Sequence, residues 1–251
     1  MKIGLVLSGG GARGIAHLGA VKALAERGIK PDVISGTSAG AIAGGLLAYG
    51  YSPDEILEII IDTNFVRYVR PTFRGNGFLR IDRLQEVFQK HVPENTFEAL
   101  KIPLIVTATD VHAGEAIYFQ KGELIRPILA SSCLPGIFEP IQFQNRYLVD
   151  GGVMNNMPVE PLIGLADYII GMHCNPFQLK EPPKSTREVL ARSLILAVHA
   201  KTKERFDQCH LLIEPPELGD YSVYDLRKAR ELFVLGYKHT RKLLQETPVL
   251  V

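Results

Sequence analysis

The chain has 251 residues, of which 46% are hydrophobic and 22% are charged, and its formal net charge is +1. This composition excludes an intrinsically disordered chain, because it supplies enough apolar side chains for an ordinary core. The balanced charge argues against a nucleic-acid-binding surface, and no run of Lys or Arg predicts an anionic-membrane patch. The length predicts a single domain that spans residues 1–251.

Cysteine usage and the N-terminus both bear on localisation. Cys133, Cys174 and Cys209 are odd in number and lack the spacing of a zinc site or redox motif, which favours a reducing cytosol. The apolar run from Ile3 to Leu7 breaks into glycines before a secretory or membrane-spanning segment would be complete. We therefore expect a cytoplasmic protein.

Two strand, loop and helix units occupy the first fifty residues. They are a strand at Ile3 to Leu7, a glycine loop at Gly9 to Gly14, a helix from Ile15, a strand at Val33 to Ser35 and a helix of small residues after Gly40. Successive units of this kind build a parallel sheet with helices on both faces. The predicted fold class is α/β, three-layer α/β/α with a mainly parallel central sheet, and function is expected at the carboxyl ends of the strands.

The rest of the chain continues the alternation of strands and helices. Ser52 to Glu55 form a capping box that predicts a third helix. Further helices are predicted at Leu84 to Phe88, Leu124 to Ala130, Thr186 to about Phe206 and Asp225 to about Leu244, and further strands at Pro103 to Ala108, Glu115 to Phe119, Tyr168 to His173 and Leu211 to Glu214. A hairpin about Gln144 and Asn145 is predicted to lead to Asp150. Phe65 to Phe78 has no clean period, so it is either a lid or substrate-access loop or an ordinary connection.

Ser38 lies in the pattern Gly36-x-Ser38-x-Gly40, between an apolar strand and an apolar helix. This pattern is typical of a nucleophile elbow, a strained strand-to-helix turn that holds the serine hydroxyl out at the top of a sheet. The glycines let the backbone turn sharply and let helix and strand approach closely. The alternative role for Ser38 is that of a helix cap.

The loop from Gly9 to Gly14 matches G-x-G-x-x-G and follows a strand, which allows two interpretations. A dinucleotide-binding domain would need an acid at the carboxyl end of the second strand, whereas Asp32 precedes that strand and the serine turn follows it. The alternative is that free amides of the loop bind a tetrahedral oxyanion next to Ser38.

Asp150 is the leading candidate for the base that activates Ser38. It ends the predicted hairpin, and Gly151 and Gly152 after it allow close approach of the backbone to a substrate. Since a free carboxylate has a pKa near 4, desolvation must raise its proton affinity or proton transfer must accompany attack. A triad of Ser38, Asp150 and His173 follows the α/β-hydrolase order and is the alternative, although in that fold the elbow comes after several strands.

Four blocks in this order make the chain resemble the patatin-like phospholipases of the bacterial single-domain type, over essentially its first 175 residues. The blocks are Gly9 to Gly14 with Arg13 in its basic position, Gly36 to Gly40, Ala130 to Pro140 and Asp150 to Gly152. The resemblance implies a patatin-like fold and a dyad of Ser38 and Asp150, with no histidine required. It also implies oxyanion amides from Gly10 and Gly11, a loop fixed in part by Arg13, and supporting positions at Gly9, Gly14, Gly36, Gly40, Gly151 and Gly152.

The same resemblance implies hydrolysis of lipid acyl esters through an acyl-enzyme, without a metal or an organic cofactor. The expected partners are a lipid or acyl-ester substrate and, transiently, a membrane surface; nucleic acid is not expected, and no oligomeric state is predicted. Two other functions stay open at this point. One is a regulatory or adaptor protein that binds a lipid or partner in the same pocket, and the other is an NAD(P)-binding protein.

Overall fold

The computed structural model describes residues 1–63, 68, 70–71, 77–81, 83–178 and 182–247, in which strands and helices alternate. The strands are Ile3–Leu7 (β1), Val33–Thr37 (β2), Arg70–Pro71 (β3), Leu79–Arg80 (β4), Leu104–Asp110 (β5), Glu115–Phe119 (β6), Ile141–Phe143 (β7), Arg146–Asp150 (β8), Tyr168–Met172 (β9) and Leu211–Ile213 (β10). The α-helices are Ile15–Glu26 (α1), Ala39–Tyr49 (α2), Pro53–Asp62 (α3), Leu84–His91 (α4), Ile125–Ser131 (α5), Gly152–Asn155 (α6), Thr186–Lys203 (α7) and Ala229–Glu246 (α8).

The central sheet is mixed and mainly parallel. Its strand order is β10-β9-β1-β2-β5-β8-β7, and β6 pairs with β5 in addition. The strands from β10 to β5 are parallel to one another, whereas β6, β8 and β7 pair in antiparallel fashion. The predicted α/β class with a mainly parallel sheet is confirmed.

Strand β5 brings the ends of two other strands together. The first half of β5 pairs with β2, up to the pair Thr37 and Thr107, and the second half pairs with β8, from the pair Ala108 and Asp150 onward. Strand β6 pairs with residues of both halves, so it occupies the other edge of β5. Strands β2 and β8 therefore run toward each other along one edge of β5, and their carboxyl ends meet at Thr37 and Asp150.

The two faces of the sheet bury different sets of side chains, because alternate residues of a strand point to opposite faces. Leu5 and Leu7 of β1 join the large core together with side chains of α1, α2, α5 and α8. Val6 joins a smaller cluster on the other face, with Met157 and Leu162 from the segment after α6. All of these side chains are buried.

Helices α1 and α8 lie unusually close together because glycines meet backbone at two points. A methyl group on Gly19 would collide with the carbonyl of Phe233, and one on Gly236 would collide with the carbonyl of Ala16. Close packing of α1 and α8 links the C-terminal helix to the unit that follows the glycine loop.

Most predicted elements are present, and the deviations have physical causes. Ser52 caps α3 with the full capping box, and Gln144 and Asn145 both have positive φ, as expected for a two-residue hairpin turn. Strand β2 extends two residues beyond its predicted end because its pairing with β5 continues to Thr37. Strand β9 ends one residue before His173.

Most of the predicted lid segment, Phe65 to Phe78, lies outside the described residues. Its described part includes Arg70–Pro71, which pairs with Leu79–Arg80 as a short antiparallel ribbon. None of the helices within the described part of the chain combines the length and the apolar character needed to cross a membrane.

Candidate active site

Ser38 lies on a strained turn between β2 and α2. Its φ of 53° and ψ of −121° are unusual for a residue other than glycine, and its side chain makes no capping hydrogen bond to the helix. A side chain at Gly36 would collide with the backbone of Gly40, and one at Gly40 with the backbone of Leu7. The elbow geometry predicted for Ser38 is therefore present, and the helix-cap alternative is not supported.

Asp150 contacts this serine directly. The hydroxyl of Ser38 donates to Oδ2 of Asp150 at 2.7 Å, and the amide of Gly152 donates to Oδ1 at 2.8 Å. The backbone around Asp150 is fixed to α5 and the turn after it, because the amide of Asp150 donates to the carbonyl of Cys133 at 2.8 Å. The two residues that the sequence singled out are thus brought into hydrogen-bond contact.

Ser131, which the sequence analysis did not single out, also supports the turn. Its hydroxyl donates to the carbonyl of Thr107 at 2.6 Å and accepts the amide of Ser38 at 2.8 Å. Gly151 lies so close to β5 that a methyl group there would collide with the carbonyl of Thr107. Glycine at 151 is thus required by close packing on the strand.

Burial raises the pKa of Asp150 to about 6, although the hydrogen bonds from Ser38 and Gly152 oppose the rise. Asp150 is 6% exposed, and no Lys or Arg pairs with it among the described residues. A carboxylate with this pKa is ionised at neutral pH and binds a proton more readily than a free aspartate does. Of the two expected ways to make Asp150 an effective base, desolvation is the one that this pKa reflects.

The glycine loop, in which Gly9 lies close to Ser38, leaves two amides without acceptors. The amide of Gly9 donates to the carbonyl of Asn156 at 3.0 Å and that of Ala12 to the carbonyl of Val223 at 2.8 Å. Between them, the amides of Gly10 and Gly11 have no hydrogen-bond partner in the described part of the chain. Gly11 has a φ of 56°, which few other residues adopt readily.

Arg13 attaches the glycine loop to the C-terminal part of the chain. Its Nε donates to the carbonyl of Tyr221 at 2.8 Å and its Nη2 to the carbonyl of Gly219 at 3.2 Å. Burial lowers the pKa of Arg13, partly offset by Cys174 and Asp220. The glycine loop is therefore held by residues 219–223, a segment for which no role was predicted.

The family model for patatin-like phospholipases matches residues 5–163, which is more than half of the chain. This chain belongs to the patatin-like phospholipase family.

The chain matches part of each of two longer relatives. An NTE family protein of Mycobacterium tuberculosis is 35% identical over 178 residues, covering 69% of this chain and 49% of the relative. Lysophospholipase NTE1 of Saccharomyces cerevisiae is 28% identical over 276 residues, covering 97% of this chain and 16% of the relative. The chain thus spans about half the length of the mycobacterial relative.

The patatin fold is also that of a solved structure. VipD from Legionella pneumophila matches with a TM-score of 0.66 at 17% sequence identity, covering 98% of this chain and 67% of that chain. At this identity the likeness shows the fold alone. It agrees with the patatin-like fold that the sequence motifs imply.

In this patatin-like site, His173 does not complete a triad. Its Nδ1 lies 2.6 Å from Oε1 of Glu214, while Asp150 is bonded to Ser38 and Gly152 instead. His173 is buried beside His199. The triad alternative therefore lacks the contact between His173 and Asp150 that it requires.

His17 has a structural environment too. It is fully buried, its Nε2 lies 2.8 Å from the carbonyl of Ser8, and burial lowers its pKa to about 4. Cys174 lies 3.4 Å from both Ser8 Oγ and His17 Nε2, and burial raises the pKa of its thiol to about 12. These groups form a neutral layer beneath the glycine loop.

The dinucleotide alternative is not supported by the position of Asp32. Its carboxylate accepts the amide of Ile3 at 2.7 Å, at the start of β1, so it lies at the opposite end of the strand from the glycine loop. Within the residues described, no group of three or more His, Cys, Asp or Glu side chains is arranged to hold a metal ion.

Proposed function

We propose that this chain is a serine hydrolase that cleaves acyl ester bonds of lipids, as a phospholipase or lysophospholipase does, with Ser38 as nucleophile and Asp150 as base. The observation that carries the proposal is the 2.7 Å hydrogen bond from Ser38 to Asp150, made on a strained turn. The two unpartnered amides of the glycine loop, in which Gly9 lies close to Ser38, support it. The lysophospholipase name of the yeast relative supports a lipid ester as the substrate.

In the first half of the reaction, Ser38 is acylated. Asp150 accepts the hydroxyl proton as Oγ attacks the ester carbonyl, and the amides of Gly10 and Gly11 donate to the developing oxyanion. The N-terminus of α2 adds a favourable dipole at the same place. The leaving alcohol takes the proton from Asp150, which leaves an acyl-enzyme and an ionised carboxylate.

In the second half, Asp150 accepts a proton from a water molecule as the water attacks the acyl carbon. The bond between the acyl carbon and Oγ then breaks, Oγ recovers the proton from Asp150, and a carboxylic acid leaves. One carboxylate serves both halves because its pKa of about 6 lets it accept and return a proton near neutral pH.

Fluorophosphonate labelling tests the proposal, because this probe reacts with an activated serine. We expect the purified wild type to be labelled and to hydrolyse lysophosphatidylcholine, and Ser38→Ala to lose labelling and about 10⁴-fold or more of turnover. Ser132→Ala is the matched control, since the hydroxyl of Ser132 donates to the carbonyl of Ile128. Wild-type protein that binds lipid but is never labelled would contradict the proposal and favour the adaptor function.

We also propose that residues 1–251 act as one hydrolase domain in the cytoplasm. The single domain is supported by the bonds from Arg13 and Ala12 of the glycine loop to residues 219–223, and by the close packing of α8 on α1.

We propose that α7 makes the transient contact with an anionic phospholipid surface. Val189, Ile195 and Leu196 are exposed on this helix, and the exposed ring of Phe177 lies 5.5 Å from that of His199. Residues 186–203 contain four Lys or Arg and one Asp or Glu, hence 4 − 1 = +3 in a chain of net +1. A helix that combines exposed apolar side chains with a net positive charge suits the surface of an anionic bilayer. Since α6, which follows Asp150, packs against α7, the contact would place the bilayer beside the site.

Vesicle sedimentation tests the contact made by α7. We expect the wild type to pellet with vesicles of phosphatidylcholine and phosphatidylglycerol more than with phosphatidylcholine alone. We expect the double variant Ile195→Glu and Leu196→Glu to lose this binding about 10-fold, with labelling of Ser38 unchanged. Val234→Glu, on an exposed position of α8, is the control. Equal loss in the control, or no loss in the double variant, would exclude α7 as the contact.

A further inference from the structure

The carboxamide of Asn156 lies close to both residues of the proposed dyad. A methyl group on Gly152 would be 2.9 Å from Oδ1 of Asn156 and 3.0 Å from Oδ1 of Asp150. A methyl group on Gly9 would collide with the same Asn156 oxygen and lie 3.2 Å from Cβ of Ser38. Two glycines therefore leave room at the point where Asn156, Asp150 and Ser38 converge.

The two polar atoms of this carboxamide have different surroundings. Asn156 is 7% exposed, and its Nδ2 is enclosed without an acceptor in the described part of the chain. Its Oδ1 is not enclosed in this way and accepts no hydrogen bond from any described group. An enclosed donor without a partner destabilises the fold. The side chain is therefore held by close packing and not by hydrogen bonds of its own, and its oxygen is available to a molecule in the site.

A second acceptor of this kind would assist deacylation. Water has two O–H groups, and Asp150 can orient only the one whose proton it takes. A second fixed acceptor for the other O–H would keep the water oxygen directed toward the acyl carbon. Displacement of a reacting group by about 1 Å can lower the rate about 100-fold.

We propose that Oδ1 of Asn156 is this second acceptor, so that Asn156 and Asp150 together hold the hydrolytic water; the inference rests on the proposed function. As water attacks, one proton passes to Asp150 and the other stays on the oxygen, hydrogen-bonded to Asn156. The new C–O bond forms, the bond to Ser38 Oγ breaks, and Oγ takes the proton from Asp150. Asn156 gains and loses no proton, and it has no part in the attack by Ser38.

The test separates the two halves of the reaction in Asn156→Leu, which keeps the approximate volume and removes the acceptor. With p-nitrophenyl butyrate we expect kcat and KM to fall together by about 100-fold. We expect kcat/KM and the rate of fluorophosphonate labelling, which report the attack by Ser38, to stay within about 3-fold. A burst of one nitrophenol per active site should accompany the slow turnover, because the acyl-enzyme accumulates.

Two further variants keep the test decisive. Asn156→Asp retains an oxygen acceptor but adds a negative charge near Asp150, which favours the protonated form of Asp150. At raised pH Asp150 is ionised again, and we expect most of the turnover to return. Asn155→Leu is the structural control, because the side chain of Asn155 donates to Tyr118 and Glu160 instead; it should lower stability without producing a burst.

Parallel loss of kcat/KM, labelling and kcat in Asn156→Leu, without a burst, would overturn the inference and assign Asn156 to the fold or to acylation. Absence of labelling in the wild type is a different result. It would refute the proposed function itself, and the inference with it.

Discussion

Two buried aspartates end neighbouring strands of the sheet, and only one of them is suited to act as a base. Asp110 ends β5 and Asp150 ends β8. Asp110 accepts the amides of His112 and Ala113 and an ion pair from Arg146 at 3.0 Å. Burial alone would raise the pKa of Asp110, but these donors together lower it.

Asp150 has fewer donors and no cation, so burial dominates and its pKa rises to about 6. One of its two donors is the hydroxyl of Ser38, the group that it would deprotonate. The comparison shows that burial alone does not make a carboxylate basic. The number and charge of its donors decide whether it stabilises a turn or accepts a proton.

The largest expected effect that separates the two aspartates is on catalysis. Asp150→Asn should lower ester hydrolysis on the order of 10³- to 10⁴-fold, because an amide cannot accept the serine proton. Asp110→Asn should stay within about 10-fold, since Asp110 acts only through the turn after β5. The measurement is kcat/KM on one soluble ester for both variants. Similar losses of kcat/KM in the two variants would contradict the assignment of Asp150, and not Asp110, as the base.

The oxyanion loop gives the next largest effect. In Gly11→Ala the new methyl group meets the carbonyl of Val223, which now accepts the amide of Ala12. We expect labelling of Ser38 to slow about 100-fold as the two unpartnered amides are displaced. Gly114→Ala is the control, since Gly114 has a similar positive φ of 72° and open space around it. If both variants label like the wild type, the loop is not part of the site.

Stability should respond to pH with opposite signs at the two aspartates. The folded-state pKa of Asp150 is raised from 3.8, so its ionisation destabilises the fold as pH rises from about 4 to about 6. At pH 7.5 the free energy of unfolding of Asp150→Asn should therefore exceed that of the wild type, by at most about 3 kcal/mol. At pH 4 the difference between the two free energies should be smaller. Urea unfolding at both pH values measures this.

For Asp110 the folded-state pKa is lowered, so its stabilisation is present above the unfolded-state pKa and is lost as pH falls. Asp110→Asn should be less stable than the wild type at pH 7.5, and the difference should shrink at acidic pH. If both substitutions change the free energy of unfolding at pH 7.5 in the same direction, the pKa values of Asp110 and Asp150 are not shifted in opposite directions.

The smallest expected effect on catalysis concerns His173. His173→Gln removes the imidazole that contacts Glu214, so we expect a loss of stability of about 1 to 3 kcal/mol. Labelling of Ser38 should stay within about 3-fold, because His173 does not contact Asp150. A drop of several orders of magnitude would restore the triad alternative.

Local patterns in the sequence predicted the parts of the site that depend on backbone shape. The elbow at Ser38 and the turn after Asp150 need glycines for steric reasons, and such glycines are visible in the sequence. The meeting of these two residues depends on the register of β2 and β8 along β5, which no local pattern encodes. The resemblance to the family supplied that pairing.

The distant contacts that support the site were not predicted, although the resemblance implied that Arg13 helps to fix the glycine loop. Ser131 bonds to Ser38 across 93 positions, and Arg13 bonds to Gly219 across 206. Asn156 could have been noticed from its nearness to Asp150 in the chain, but its unpartnered amide is visible only in three dimensions. Periodicity located the helices and strands, while their tertiary contacts set where each one ends.

The pH dependence of fluorophosphonate labelling tests the central claim most directly. We predict a labelling rate for the wild type that rises with pH and reaches half its maximum near pH 6, the pKa to which burial raises Asp150. We predict that His173→Gln keeps this profile and that Asp150→Asn loses it. A wild-type profile that persists in Asp150→Asn would contradict the assignment of Asp150 as the base of Ser38.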